Sequence, residues 1–262
     1  MKRYLQLYYY FFRNSLMRDL EFRFNVLIWT VMNFLFLGLM FVSVELIYGQ
    51  VEAIAGWNKN EVLLLLCVNS LFYDFLWTLV LANLLGFSHL IRHGELDFVL
   101  LKPVNPRFFV STRYFESDHY LRILILVFVI SRLLKTLGVQ LTIFSLLNFL
   151  SLFVLGIFIF YSFFFILTTS NFWFINVFNL EDLFSGIMHV GRFPVRIFKK
   201  GFYLFFTYVV PTAFIATFPT QALLGKGSLG MIGVALVIAL FMFSASQLFW
   251  QFALRHYQSA SS

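Results

Sequence analysis

The sequence predicts an all-α integral membrane protein: six transmembrane helices, an N-terminal interfacial helix, a short cytoplasmic helix, and a proline-broken fifth span or re-entrant segment. Three observations carry that reading. Of 262 residues, 61% are hydrophobic and 12% charged, against roughly 45–50% and about 25% in a soluble domain. Six segments come close to the ~20 apolar residues that a helix needs to cross ~30 Å of hydrocarbon. The 19 Lys and Arg residues also divide unevenly, 15 on one side of that frame and 4 on the other. Disorder, a disulfide scaffold and a nucleic-acid-binding domain are excluded, because the chain is apolar, has the single cysteine Cys67 and gathers its charge in short connections.

Residues 1–25 mix Lys2, Arg3, Arg13, Arg18 and Arg23 with Tyr8, Tyr9, Tyr10, Phe11 and Phe12, as expected of a helix lying in the membrane interface. Basic residues recurring through Arg23, with no small-residue cleavage site after them, argue against a cleavable signal. The six-span domain, 26–254, follows. Val26–Tyr48 and Val62–Leu90 are the first two spans. Tyr120–Leu141 is the third, if Arg132 and Lys135 snorkel to the interface. Ile143–Leu167 is the fourth. Phe202–Leu224 contains Pro211 and Pro219, which remove amide donors and predict a broken helix. Leu229–Ala253 is the last, and 255–262 is a cytoplasmic tail. The stretch 172–190, with Asn176, Asn179, Glu181 and Asp182, reads as interfacial helix or as a buried seventh span. The positive-inside rule puts both termini in the cytoplasm.

The most informative connection runs from about His89 to Asp118. Gly94 can end the preceding helix, Glu95 and Asp97 suit the first turn of a new one, and Pro103 closes it after about two turns. Leu96, Phe98, Val99 and Leu100 make this helix more apolar than solvent requires. It either docks a partner protein or packs under its own bundle. In the second span Asn69, Ser70, Tyr73, Asp74, Trp77 and Thr78 fall on one broad helical face. They line a substrate path or dimer seam, or they hydrogen-bond a neighbouring helix. Glu45, near the outer end of the first span, can reach water.

Two other patterns fail chemically. His89 and His93 share a helical face, but Arg92 lies between them and the glutamate of a His-Glu-x-x-His zinc site is missing, so no metal is expected. Gly225-Lys-Gly-Ser228 lacks phosphate-loop spacing, so any ATP must be hydrolysed elsewhere.

The run Gly94-Glu-Leu-Asp-Phe-Val-Leu-Leu-Lys-Pro-Val-Asn-Pro-Arg-Phe108 resembles a signature of type-2 ATP-binding-cassette (ABC) permeases, in particular a branch of paired bacterial export permeases. Arg192–Phe198, Val210–Thr220 and Arg255–Ser261 resemble further family segments in the same order, although Phe193 and Thr220 replace a usual tyrosine and a common alanine. The resemblance implies a non-catalytic permease subunit of an ABC exporter in a bacterial plasma (inner) membrane. It implies two ABC ATPase subunits carrying ATP and Mg, and a second permease, homologous or identical. It also implies that Gly94, Glu95, Leu96, Asp97, Leu100, Leu101 and Pro103 couple the chain to an ATPase. An apolar, aromatic bundle among membrane lipids suits a hydrophobic or amphipathic substrate. The alternative is an ion-coupled secondary transporter or channel without an ATPase, which would call for charges in several spans and inverted repeats. An intramembrane enzyme would need a convergent catalytic cluster, and the sequence offers none.

Overall fold

The computed structural model describes residues 2–174 and 179–257, and among them every regular element is helical. Helix α1 (Lys2–Glu21) breaks at Phe22 before α2 (Arg23–Tyr48). Side chains of α1 pack edge-on against a later connection, Tyr4 on Phe108, Phe11 on Phe109, and Tyr8 and Phe12 on Phe115. The second membrane segment starts where the Asn58 side chain accepts from the Glu61 amide while Glu61 reaches back to the Asn58 amide, a capping box. It comprises α3 (Lys59–Leu76), a π-helical turn (Trp77–Leu81) and α4 (Ala82–Arg92).

Gly94, at φ 67°, reverses the chain into α5 (Glu95–Leu100), a conformation that costs a residue with a Cβ. Asn105 then caps α6 (Pro106–Thr112), with Pro106 in the first turn where no amide is missed. Helix α7 (Tyr120–Thr136) packs along α3, and α8 (Ile143–Thr169) starts from a Thr142–Ser145 capping box. The short α9 (Leu180–Val190) buries Leu180, Phe184, Ile187 and Met188 along one face. A bent pair comes next: α10 (Lys200–Leu204) with a π-helical extension to Val209, then α11 (Thr217–Leu223). The chain ends in α12 (Leu229–Arg255), capped by Ser228.

The core lies between α3 and α8, with α12 flanking α8 and α7 flanking α3. Phe72 on α3 meets Phe153 and Phe160 on α8 edge to face at 5.4 and 5.6 Å. Lipid tails are as apolar as these rings, so close packing and ring geometry, about 0.5–1.5 kcal/mol per pair, hold the helices together more than exclusion of water does. Where the bent pair crosses α8, a Cβ on Gly156 would stand 2.7 Å from the Phe214 carbonyl oxygen, so only glycine permits the approach.

Among the described residues, four helical stretches are long and apolar enough to cross a bilayer: Arg23–Tyr48, Lys59–Ile91, Ile143–Phe172 and Leu229–Arg255. The bent pair, turned by 70°, adds a fifth if counted as one span. The expected third span, Tyr120–Leu141, is shorter than predicted. Helix α7 runs 17 residues, about 25 Å, and ends before Gly138, whose φ of 67° turns the chain. Helix α9 has 11 residues, about 16 Å, too few to cross alone; Asn176 of the same predicted stretch lies outside the described residues. The bend falls at Pro211. Pro219 sits in the first turn of α11, where an amide has no helical partner to lose. Beyond Tyr257 the expected tail lies outside the described residues.

Candidate functional site

The second membrane segment organises the interior. Asp74 on α3 is fully buried, and its carboxylate accepts from two nitrogens of Arg122 on α7, Nε at 2.8 Å and Nη2. His119, just before α7, places Nδ1 2.8 Å from the same carboxylate. Arg122 Nη1 donates to the Asn33 side-chain oxygen on α2 at 3.1 Å, and Asn33 Nδ2 donates to Asp118 at 3.3 Å. Three helices thus meet at one charge-compensated cluster. The bidentate fork satisfies the acid, which as a lone charge in this interior would be prohibitively costly.

A groove of about 1020 Å³ opens beside the cluster, between α2, α3 and α9. It follows α2 from Asn25 to Tyr48, nearly the whole helix. Of the predicted stripe, Asn69, Ser70, Tyr73 and Trp77 line it. Asp74 and Thr78 do not. One residue further around the helix, each is turned away from the groove, Asp74 toward α7, and both are buried. Asn69 also ties α3 to α9 by donating to the Met188 carbonyl at 3.3 Å. At one end of the groove the side chains are mixed in charge, with Arg18, Arg192 and His189 facing Glu116, Asp118 and Glu181. Partial burial pushes the Glu116 carboxyl above its ordinary value of 4.5, with Asp19 and Asp118 adding to this and Arg18 opposing it. Partial desolvation also holds Arg192 below its ordinary range, as Arg122 does, against the influence of Tyr73.

At the same end stands α5. Leu96 and Val99 turn inward, at 0% and 3% exposure, whereas Phe98 and Leu101 are 69% and 82% exposed. Glu95 and Pro103 are also exposed, Asp97 and Leu100 are half-buried, and Gly94 forms the joint with α4. The seven predicted coupling residues therefore divide between anchoring and presentation. Phe98, absent from that set, carries much of the exposed apolar surface. Its spacing of three from Leu101 was the available signal.

The remaining sequence features have local roles. The rings of His89 and His93 stack at 3.9 Å, and His93 Nδ1 meets the His89 carbonyl oxygen. No group of three or more metal-ligating side chains occurs among the described residues. Lys226 pairs with Glu61 at 2.8 Å, tying the start of α3 to the loop before α12, and Glu45 pairs with Lys59.

Comparison with known families returns a match over residues 27–261 to a family described as ABC-2 family transporter protein. Searches of curated proteins and of solved structures gave no match.

Proposed function

The chain belongs to the ABC-2 transporter family and is a multi-pass membrane permease, and from that premise we propose that separate ATPase subunits docking on α5 drive export of a hydrophobic or amphipathic substrate. The observation that carries the docking is the division of α5. Leu96 and Val99 anchor it to the bundle while Phe98 and Leu101 stand out as a ready contact for a partner's groove. Helix α5 joins α4 through only His93 and Gly94, so a push on α5 acts directly on the second membrane segment. The wide turn at Trp77–Leu81 lies within that segment, and π turns of this kind are frequent at functional sites.

The groove supports the substrate path. It carries aromatic faces from Trp29, Tyr73 and Trp77 beside polar groups from Asn33, Asn69 and Ser70. That mixture suits a molecule with one apolar and one polar end. Its outer wall, α2, has little of its surface covered within the chain, which fits a second permease, identical or homologous, closing the path. Two ATPases and two permeases, with both termini on the ATPase side of a bacterial inner membrane, complete the assembly. ATP and Mg reside on the ATPases.

Co-purification tests the docking. Phe98→Ala with Leu101→Ala, expressed in the native host, should leave the chain in the membrane and strip from it the ABC ATPase that co-purifies with the native chain. Full retention of the ATPase by that variant overturns the assignment.

A further inference from the structure

A second recess, of about 630 Å³, lies between α1, α6, α8 and α12 at the α5 end of the bundle. Its polar centre is Arg107, only 6% exposed. The guanidinium donates to Tyr161 Oη at 3.0 Å, Gln247 Oε1 at 2.5 Å and Ser246 Oγ at 2.7 Å. Phe165 and Phe243 lie against it at 4.3 and 4.7 Å. Every one of these partners is neutral. The contrast with Arg122, which has Asp74, is complete: among the described residues, none of those lining this recess is a carboxylate.

A buried cation without a counter-ion is costly, and neutral hydrogen bonds offset only part of that cost. Three of the five guanidinium N–H groups are used, which leaves two for an anion's oxygens. The hydroxyls of Tyr4, Tyr8 and Ser111 edge the same space, and Lys2 and Arg3 stand exposed beside Tyr4. One wall is apolar. Ile157, Phe158 and Phe243 form it, and Phe158 and Phe243 continue onto the exposed flanks of α8 and α12 at 50% and 42% exposure. A buried cation, a rim of hydroxyls and an apolar wall open to the bilayer describe a headgroup with its chains attached.

We infer that this recess binds the phosphate of an anionic phospholipid, Arg107 supplying the counter-charge and the α8–α12 flank receiving the acyl chains. The lipid would fasten α1 and α6 to the bundle immediately beside the docking helix. Free phosphate could meet the same cation but would leave the apolar wall empty.

The test uses the full chain in phosphatidylcholine nanodiscs with and without phosphatidylglycerol, with inorganic phosphate as a separate arm, read by lipid retention in native mass spectrometry and by Tm. Phosphatidylglycerol should be retained and should raise Tm; phosphatidylcholine and inorganic phosphate should not. Arg107→Gln should lower retention roughly tenfold, the scale of a charge-assisted hydrogen bond. If that variant misfolds, Leu79→Trp, which fills the recess without touching the charge, should give the same loss, while Lys59→Gln at the opposite end should change nothing. Equal retention of the two lipids, unaltered retention in Arg107→Gln or in Leu79→Trp, or a phosphate effect as large as that of the lipid would each overturn the assignment.

Discussion

Removing the Asp74 carboxylate strands Arg122 among neutral partners, Asn33, His119 and the Tyr73 ring. Asp74→Asn should therefore destabilise the chain by about 3–5 kcal/mol, the usual cost of breaking one side of a buried pair. Joint replacement by Asp74→Leu and Arg122→Met should cost less than the single change, and thermal unfolding in detergent measures both. Glu116 gives a pH-dependent prediction. Its folded pKa is raised above 4.5, so its contribution to stability is present below 4.5 and is lost as pH rises through the folded value. Glu116→Gln escapes that loss, so its Tm advantage over the native chain should widen from pH 4.5 toward neutrality; a constant difference would contradict the assignment. Asp74 itself was legible in the sequence, since a mid-span acid demands a partner. The partner was not. Arg122 lies 48 residues away, at the start of the predicted third span, and only the fold turns it toward Asp74.

At the scale of the element, capping chemistry and glycine position explain most boundaries, and they were readable: Gly94 before α5, Pro103 after it and Pro211 at the bend all act where their backbone limits dictate. The π-helical turn at Trp77–Leu81 had no such signal, because a widened turn answers to tertiary packing more than to local propensity. Pro219 shows the converse. A proline is a breaker or a tolerated first-turn residue depending on where the helix starts, which the sequence alone left open. Gly156→Ala should cost about 1–3 kcal/mol through overpacking against Phe214, whereas Gly233→Ala, with open space around it, should not; parallel unfolding curves check this.

The whole molecule is a packed half and a loose half. Helices α3, α8 and α12 enclose the aromatic core, while α2 stands across a groove from them. With native Cys67 fully buried, single cysteines can map that groove. Ser70→Cys should react with a polar maleimide much faster than Thr78→Cys, since the first lines the groove and the second is 4% exposed. Equal rates would mean that the stripe is not divided as described. The spans and the charged minority made the outline of the molecule legible in the sequence. The groove was not, because it depends on the distance between two apolar helices whose residues look alike whether they face lipid, a cavity or another subunit.

The sparse packing of α2 also bears on how long the chain lasts in a cell. With only 11% of its apolar window covered, that helix has little in its own subunit to keep it from sliding or tilting. On the proposal that a second permease covers α2, a chain made without that companion should be recognised as an orphan and cleared by membrane proteases, the scarcer subunit then setting the copy number of the whole transporter. Pulse-chase of the chain expressed alone and with its companion should give a shorter half-life for the solitary one.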